Sequence, residues 1–224
     1  NGAGHHAPVM LDLPVAGTVM LPREPLPGTP DVDVVLVHHD GLFGRSGSPY
    51  TDAGGRDWPD NALRFGTFCR AVAALAAGGS RLAPAFDLVH CHDWHAGLVP
   101  LLLQRRPHAP PSVLTVHSLA YQGCFDRADF DRLALDPRWW HVDVLEFHGG
   151  WPFLQAGLVH AGRVFTVSPT FAREIMTPAG GFGMDGILRA RRQPPEGILN
   201  GVDYACWSPE RDPSLDDPEA DEVI

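Results

Sequence analysis

Two stretches of this chain concentrate side chains that could do chemistry. Phe86 to Pro100, FDLVHCHDWHAGLVP, carries His90, His92, Asp93 and His95 within a few residues. Ser112 to Gly123, SVLTVHSLAYQG, carries His117, Ser118, Tyr121 and Gln122 behind an apolar run. Imidazoles and carboxylates in such clusters can bind a metal, move protons or stabilise a developing positive charge. On an extended strand His90 and His92 share a face, whereas His95 lies beyond the turn, so three convergent nitrogens would need a special bend. No metal site is therefore expected, and the sequence calls for no other cofactor. Asp93 stands between a strand end and a helix start, where free N–H groups would hold a carboxylate ionised. A helix cap and a functional carboxylate both fit that place.

The elements that must position these groups are legible as strand and helix patterns. Leu88 and Val89 read as the core of a buried parallel strand ending at His92, followed by a helix over Ala96 to Arg106. Ser112 to Val116 reads as a second strand, ending at His117. Arg163 to Val167 is a third β-rich run, closed by Ser168–Pro169, a helix-start pair. Ile198–Leu199 reads as a short strand delivering Asn200–Gly201. Asp33 to Val37 reads as a further buried strand ending at His38, His39 and Asp40, and Val15 to Leu21 as the one strand of the first thirty residues. Asp60 caps a helix to about Ala77, with Leu63, Phe65, Phe68, Val72 and Leu75 at helical spacing and Gly78–Gly79 as its stop. Repeated strand–helix units predict an α/β fold, a doubly wound parallel sheet of Rossmann-like type. In such sheets ligands bind outside the carboxyl ends of the strands, so Asp93, His117 and Asn200 should open on one crevice, bordered by Tyr121 and Gln122. The Phe65, Phe68 and Leu75 face should be buried away from it. Asp126 to His141, with Trp139–Trp140, reads as short helices over the cleft. Gly180 to Gly186 lacks a phosphate-loop pattern.

At 224 residues the chain can bury one good core. A net charge of −10 argues against nucleic acid or an anionic membrane as partner. No apolar run approaches the roughly 18 residues of a membrane span, and no leader pattern opens the chain at Asn1. Cys69, Cys91, Cys124 and Cys206 show no framework spacing, which suits reduced thiols in the cytoplasm. His5–His6 read as solvated.

Six segments in order resemble the bacterial glycogen synthases and plant starch synthases. They are WPDNALRF (Trp58–Phe65), DLVHCHDWHAGLVP, LTVHSLAYQG (Leu114–Gly123), LEFHG (Leu145–Gly149), FLQAGLVHAGRVFTVSPTFAREI (Phe153–Ile175) and ILNGVDYACWSP (Ile198–Pro209). That family consists of retaining glucosyltransferases with two Rossmann-like lobes, the GT-B architecture. The resemblance implies transfer of glucose from ADP-glucose to the non-reducing end of an α-1,4-glucan. It implies catalytic roles for Asp93 and His117, and substrate contacts from His92, Ser118, Tyr121, Gln122, Gly123 and Asn200. His117, main chain and imidazole, would lie beside the transferred glucose. The partners implied are a glucan acceptor and a nucleotide-sugar donor.

The same resemblance predicts that residues 1–207 form the amino-terminal, acceptor-side lobe, lacking its first part, with 208–224 as an acidic linker toward a second lobe. The family's Lys-x-Gly-Gly loop does not occur in this sequence. Ser118 stands where the family usually has Asn, and Gln155 where it usually has Lys. Another two-lobed glycosyltransferase, or a non-catalytic glucan-binding remnant, are the alternatives these departures leave.

Overall fold

The computed structural model describes residues 8–78, 86–142 and 144–211. His5–His6, Gly79 and residues 212–224 of the acidic tail lie outside the described residues. The chain opens with two antiparallel hairpins, β1 (Val9–Leu13) with β2 (Gly17–Leu21) and β3 (Arg23–Leu26) with β4 (Thr29–Val35). This corrects two expectations, a lone strand in the first thirty residues and a buried strand over Asp33–Val37. Gly17 and Gly28, at φ of 75° and 78°, supply the left-handed turns that close the hairpins. Val35 and Val37 pack only partly buried against the first hairpin's cluster, while Val32 and Leu36 stay 43% and 53% exposed, so an apolar run alone did not bury the strand. The first hairpin is docked by Leu13, Val19 and Leu21 against Ala71 and Leu75. The expected strand end at His39 is instead the cap of a one-turn helix, α1 (Asp40–Phe43), with His39 Nδ1 accepting from the Leu42 N–H.

Helix α2 (Asn61–Ala76) turns its small residues inward. Ala62, Gly66, Cys69, Ala73 and Ala76 are buried, while Leu63, Phe65, Phe68, Val72 and Leu75 are half-buried along the flanks. Close approach selects that face: a Cβ on Gly66 would stand 2.7 Å from a Leu133 methyl. Asp60 does not cap this helix with its side chain. Its carboxylate accepts two hydrogen bonds from the Arg45 guanidinium, at 2.8 and 2.6 Å. Burial alone would raise the Asp60 pKa, but the Arg45 hydrogen bonds and charge outweigh it and the net shift is downward from 3.8. A depressed carboxylate pKa stabilises the fold above the unfolded value, and the contribution is lost as pH falls through the folded one. Asp60→Asn should therefore cost about 1–2 kcal/mol at pH 7 and progressively less in acid. Urea denaturation at several pH values measures this, and a penalty independent of pH would return Asp60 to a cap role.

The rest of the chain builds the parallel sheet and its helices. In order these are β5 (Val89–His92), α3 (Val99–Gln104), β6 (Ser112–Val116), β7 (Cys124–Phe125), α4 (Arg127–Arg132), β8 (Trp151–Pro152), α5 (Phe153–His160), β9 (Arg163–Thr166), α6 (Pro169–Glu174), α7 (Asp185–Ala190) and β10 (Glu196–Gly197). The sheet order is β10-β9-β6-β5, with every neighbouring pair parallel, an α/β Rossmann-like arrangement. Side chains alternate across it. Cys91, Leu114, Val116 and Val164 enter one core with Leu98, Leu101, Leu154 and Leu158. His90, His92, Val113, Thr115 and Phe165 take the other, more exposed face. β5 is an edge strand in which only Cys91 is buried, and Leu88 is 48% exposed. The strand is parallel as expected, but its expected burial is thus corrected. The last strand lies two residues earlier than expected, at Glu196–Gly197, and leaves Ile198 and Leu199 exposed. The short helices of Asp126 to His141 pack on α2 rather than over the cleft. Leu133 packs on α2 at Gly66, where Arg70 donates to its carbonyl at 2.6 Å, and Phe130 takes its cover from Trp140 and Trp151.

Candidate active site

At the carboxyl ends of β5 and β6 lies an open crevice of about 750 Å³. Asp93, Ser118, Tyr121, Gln122 and Gly123 line it, together with Tyr50, Thr51, Asp57, Asn61, Trp94, His95, Cys124 and Phe125. Its walls carry aromatic rings, hydroxyls and carboxylates, and none of these lining residues is Lys or Arg. Such a surface suits the apolar faces and hydroxyl edges of a sugar better than a diphosphate.

Asp93 and His117 meet directly. The Asp93 N–H donates to the Thr115 carbonyl at 2.9 Å, extending the β5–β6 ladder by one residue. Its Oδ1 accepts the His117 backbone N–H at 2.7 Å and the Ser118 N–H at 3.4 Å. The side chain makes no cap bond to the short 3-10 turn Trp94–Ala96 that follows. Reaching across costs backbone strain, for Asp93 sits at φ 52°, ψ −165°, a conformation L-residues avoid at roughly 1–3 kcal/mol.

The loop after His117 is held from below. The carbonyls of Gln122 and Gly123 accept the N–H groups of Leu154 and Phe153 at 3.1 and 3.0 Å, capping the first turn of α5. Gly123 adopts φ 59°, and a Cβ there would stand 2.2 Å from the Trp94 ring, so its place is dictated by packing as well as turn geometry. Gln122 donates its amide to the Leu119 and Phe182 carbonyls at 3.3 and 3.0 Å, which leaves its carbonyl oxygen for a ligand. Tyr121 is 72% exposed on the rim. Ser118 Oγ accepts from the Ala120 N–H at 3.3 Å.

His92 and His117 stand beside the crevice rather than in its wall, with His92 Nδ1 and His117 Nε2 3.0 Å apart. His95 points away from both. Its ring packs between Trp94, Tyr50 and Phe65, at centroid distances of 4.4, 5.3 and 5.3 Å. Burial lowers its pKa from 6.5, opposed by the Asp93 charge. Phe65 consequently underlies the crevice, 4.4 Å from Trp94, instead of lying away from it as expected. Asn200 is not brought in. It follows β10, at the opposite end of the sheet from β5, and is exposed without lining the crevice. Gln155 is 1% exposed and lines a different cavity, of about 740 Å³, with Val159, Ile187 and Arg191.

Sequence reasoning missed Tyr50, Thr51 and Asp57 as crevice residues. Their loop carries only turn signals. What could have found them is the Tyr50 ring, since an aromatic in a Gly-rich loop needs cover, and here it takes Phe65 and His95. Asn61, at the first position of α2, belongs to the Trp58–Phe65 segment but read as part of a helix start.

Comparison with known proteins identifies the family. Residues 8–190 match the family model described as starch synthase catalytic domain. The chain is 48% identical over 198 residues to the glycogen synthase of Thioalkalivibrio sulfidiphilus, covering 88% of this chain and 41% of that protein. It is 46% identical over 199 residues to glycogen synthase 1 of Methylococcus capsulatus, covering 89% of this chain and 40% of that one. The catalytic domain of starch synthase IV from Arabidopsis thaliana, solved bound to ADP and acarbose, superposes with a TM-score of 0.74 at 26% identity. It covers 92% of this chain and 42% of the Arabidopsis chain. The chain thus spans about two fifths of the length of the relatives it matches. With the family pattern running through most of its length, the chain belongs to the starch synthase catalytic-domain family.

Proposed function

We propose that this chain is the acceptor-side lobe of a two-lobed retaining glucosyltransferase, which moves glucose from ADP-glucose to the non-reducing end of an α-1,4-glucan. Residues 1–207 are the lobe and 208–224 the acidic connection to its partner lobe. The observation that carries the reading is the Asp93–His117 contact beside a crevice lined by Tyr50, Trp94 and Tyr121 and by hydroxyl and carboxylate groups. Membership of the family supports the reaction, and the ADP bound by the Arabidopsis relative supports the donor. Among the described residues no helix is long and apolar enough to cross a membrane, and all four cysteines are free, which favours a cytoplasmic enzyme.

Glucosyl transfer passes through an oxocarbenium-like state with positive charge at the anomeric carbon. Asp93 supplies a negative charge and, through the His117 N–H, fixes the loop that presents the His117 carbonyl and Ser118. Groups held in place before the reaction stabilise charge without reorganising. Tyr121 and the side-chain Oε1 of Gln122 are available to a sugar ring and its hydroxyls. The crevice's lack of Lys or Arg leaves neutralisation of the departing diphosphate to residues outside it.

The test is incorporation of labelled glucose from ADP-glucose into a maltoheptaose primer by the complete protein that carries this lobe. Release of the label by an α-1,4-specific amylase would report retention. The 224-residue chain by itself should bind the primer and perturb Trp94 fluorescence, yet incorporate no glucose above background. Absence of transfer by the complete protein would overturn the assignment.

A further inference from the structure

His92 was expected to touch substrate, yet its ring is committed to another histidine. On the exposed face of the β5–β6 pair, His90 Nε2 lies 2.7 Å from Thr115 Oγ1 and its ring is 4.3 Å from that of His92. His92 Nδ1 in turn lies 3.0 Å from His117 Nε2. The strand register brings them together: His92 is paired with Thr115, two residues before His117 in β6, and both side chains stay on the sheet face opposite the core.

We propose that His92 is a positioning residue for glucosyl transfer, holding the His117 imidazole in one orientation and one tautomer. The proposal rests on the transferase reading above, which puts His117 beside the sugar. Between two ring nitrogens at this distance one donates and the other accepts. Neutral imidazole in water prefers its proton on Nε2. Both rings keep that preference only if His117 Nε2–H donates to His92 Nδ1. The alternative needs both rings in the less favoured Nδ1–H form. His117 is then left with an unprotonated Nδ1, an acceptor for a sugar hydroxyl. One nitrogen's hydrogen bond decides what the other can do.

The arrangement requires His92 to be neutral, because a proton on Nδ1 would turn the acceptor into a second donor. Its surroundings favour neutrality. Burial, then the neighbouring His90 and His117, push its pKa below 6.5, against the opposing pull of Asp93. Those three are the ionisable groups that bear on it from β5 and from the end of β6. A lowered histidine pKa stabilises the folded arrangement above about pH 6.5, and that contribution fades as pH falls through the lowered value.

Long-range proton–nitrogen correlations of the imidazoles in the 15N-labelled 224-residue chain test this without any assay of activity. At pH 7.5 His117 should show the well-separated nitrogen shifts of a single Nε2–H tautomer. His92→Ala should collapse them toward the averaged pattern of a free histidine. His92→Asn, whose amide oxygen can occupy the place of Nδ1, should restore them. In the complete transferase His92→Ala should lower kcat about tenfold or more with the glucan KM nearly unchanged, and His92→Asn should recover most of it. An averaged His117 pattern in the unsubstituted chain overturns the proposal even if His92→Ala fails to fold. So does a pattern indifferent to His92→Ala, or a kcat unchanged when the pattern is lost. Failure of the unsubstituted complete protein to transfer glucose, with the imidazole pattern as expected, instead overturns the transferase reading.

Discussion

Asp93→Asn will leave the fold nearly intact and lower glucosyl transfer by the complete protein about a hundredfold or more. Asparagine keeps an oxygen where Oδ1 accepts the His117 N–H, 2.7 Å away, and it tolerates the positive φ of this position better than most residues. What it removes is the charge. Loss of one fixed group aimed at charge developing in a transition state costs roughly 10²–10³ in rate. Asp93→Ala removes the acceptor as well. It should match Asn in lost turnover and add about 1–2 kcal/mol of lost stability, because two backbone N–H groups lose their shared partner. Initial rates and thermal melts of the three proteins, measured side by side, decide the matter. If turnover falls only in step with the folded fraction, Asp93 is a structural tie between two strand ends and nothing more.

Gly97→Ala should be the most destabilising single methyl that can be added near this site. Gly97 lies between the turn after Asp93 and α3, where the first turn of α5 passes over it. A Cβ there would stand 2.2 Å from the Phe153 carbonyl oxygen and 2.7 Å from its carbon. Both are backbone atoms, so no side-chain rotation relieves the overlap. Gly157 faces it, with the Gly97 Cα only 3.2 Å from where a Gly157 Cβ would be. Overpacking a core costs about 1–3 kcal/mol where side chains can shift, and the upper end applies to a rigid backbone contact. A loss of about 3 kcal/mol would lower Tm by roughly 6–12 °C in a chain of this size. Gly186→Ala in α7 is the control, since nothing lies within 4 Å of its added methyl, and it should be neutral or slightly stabilising. Equal melting temperatures for the two variants would refute the close packing of α5 on this turn.

Several features were legible in the amino-acid order because they rest on short-range physics. Ser168–Pro169 starts a helix because a serine side chain reaches the N–H groups just ahead of it, and Ser168 Oγ accepts from Thr170 and Phe171. The strand Ser112–Val116 shows in its alternation, with Leu114 and Val116 buried. The meeting of Asp93 and His117 follows from two parallel strand ends joined by a helical segment. Other features were decided by neighbours distant in sequence. The buried side of α2 depended on Leu133, some sixty residues away, arriving close enough to admit only glycine at position 66. Asp60 lost its cap role to Arg45, a competitor local patterns cannot rank. β4 reads as apolar, yet Val32 stays 43% exposed and Val35 is only partly buried, against the first hairpin's cluster. Asn200 follows a strand that ends earlier than expected, at Gly197, and the sheet order puts that strand at the far edge from β5. Local chemistry determined which segments could be strands, helices and polar ends. Only the tertiary structure decided which ends share a crevice, because strand order and close packing depend on contacts that no single stretch of sequence contains.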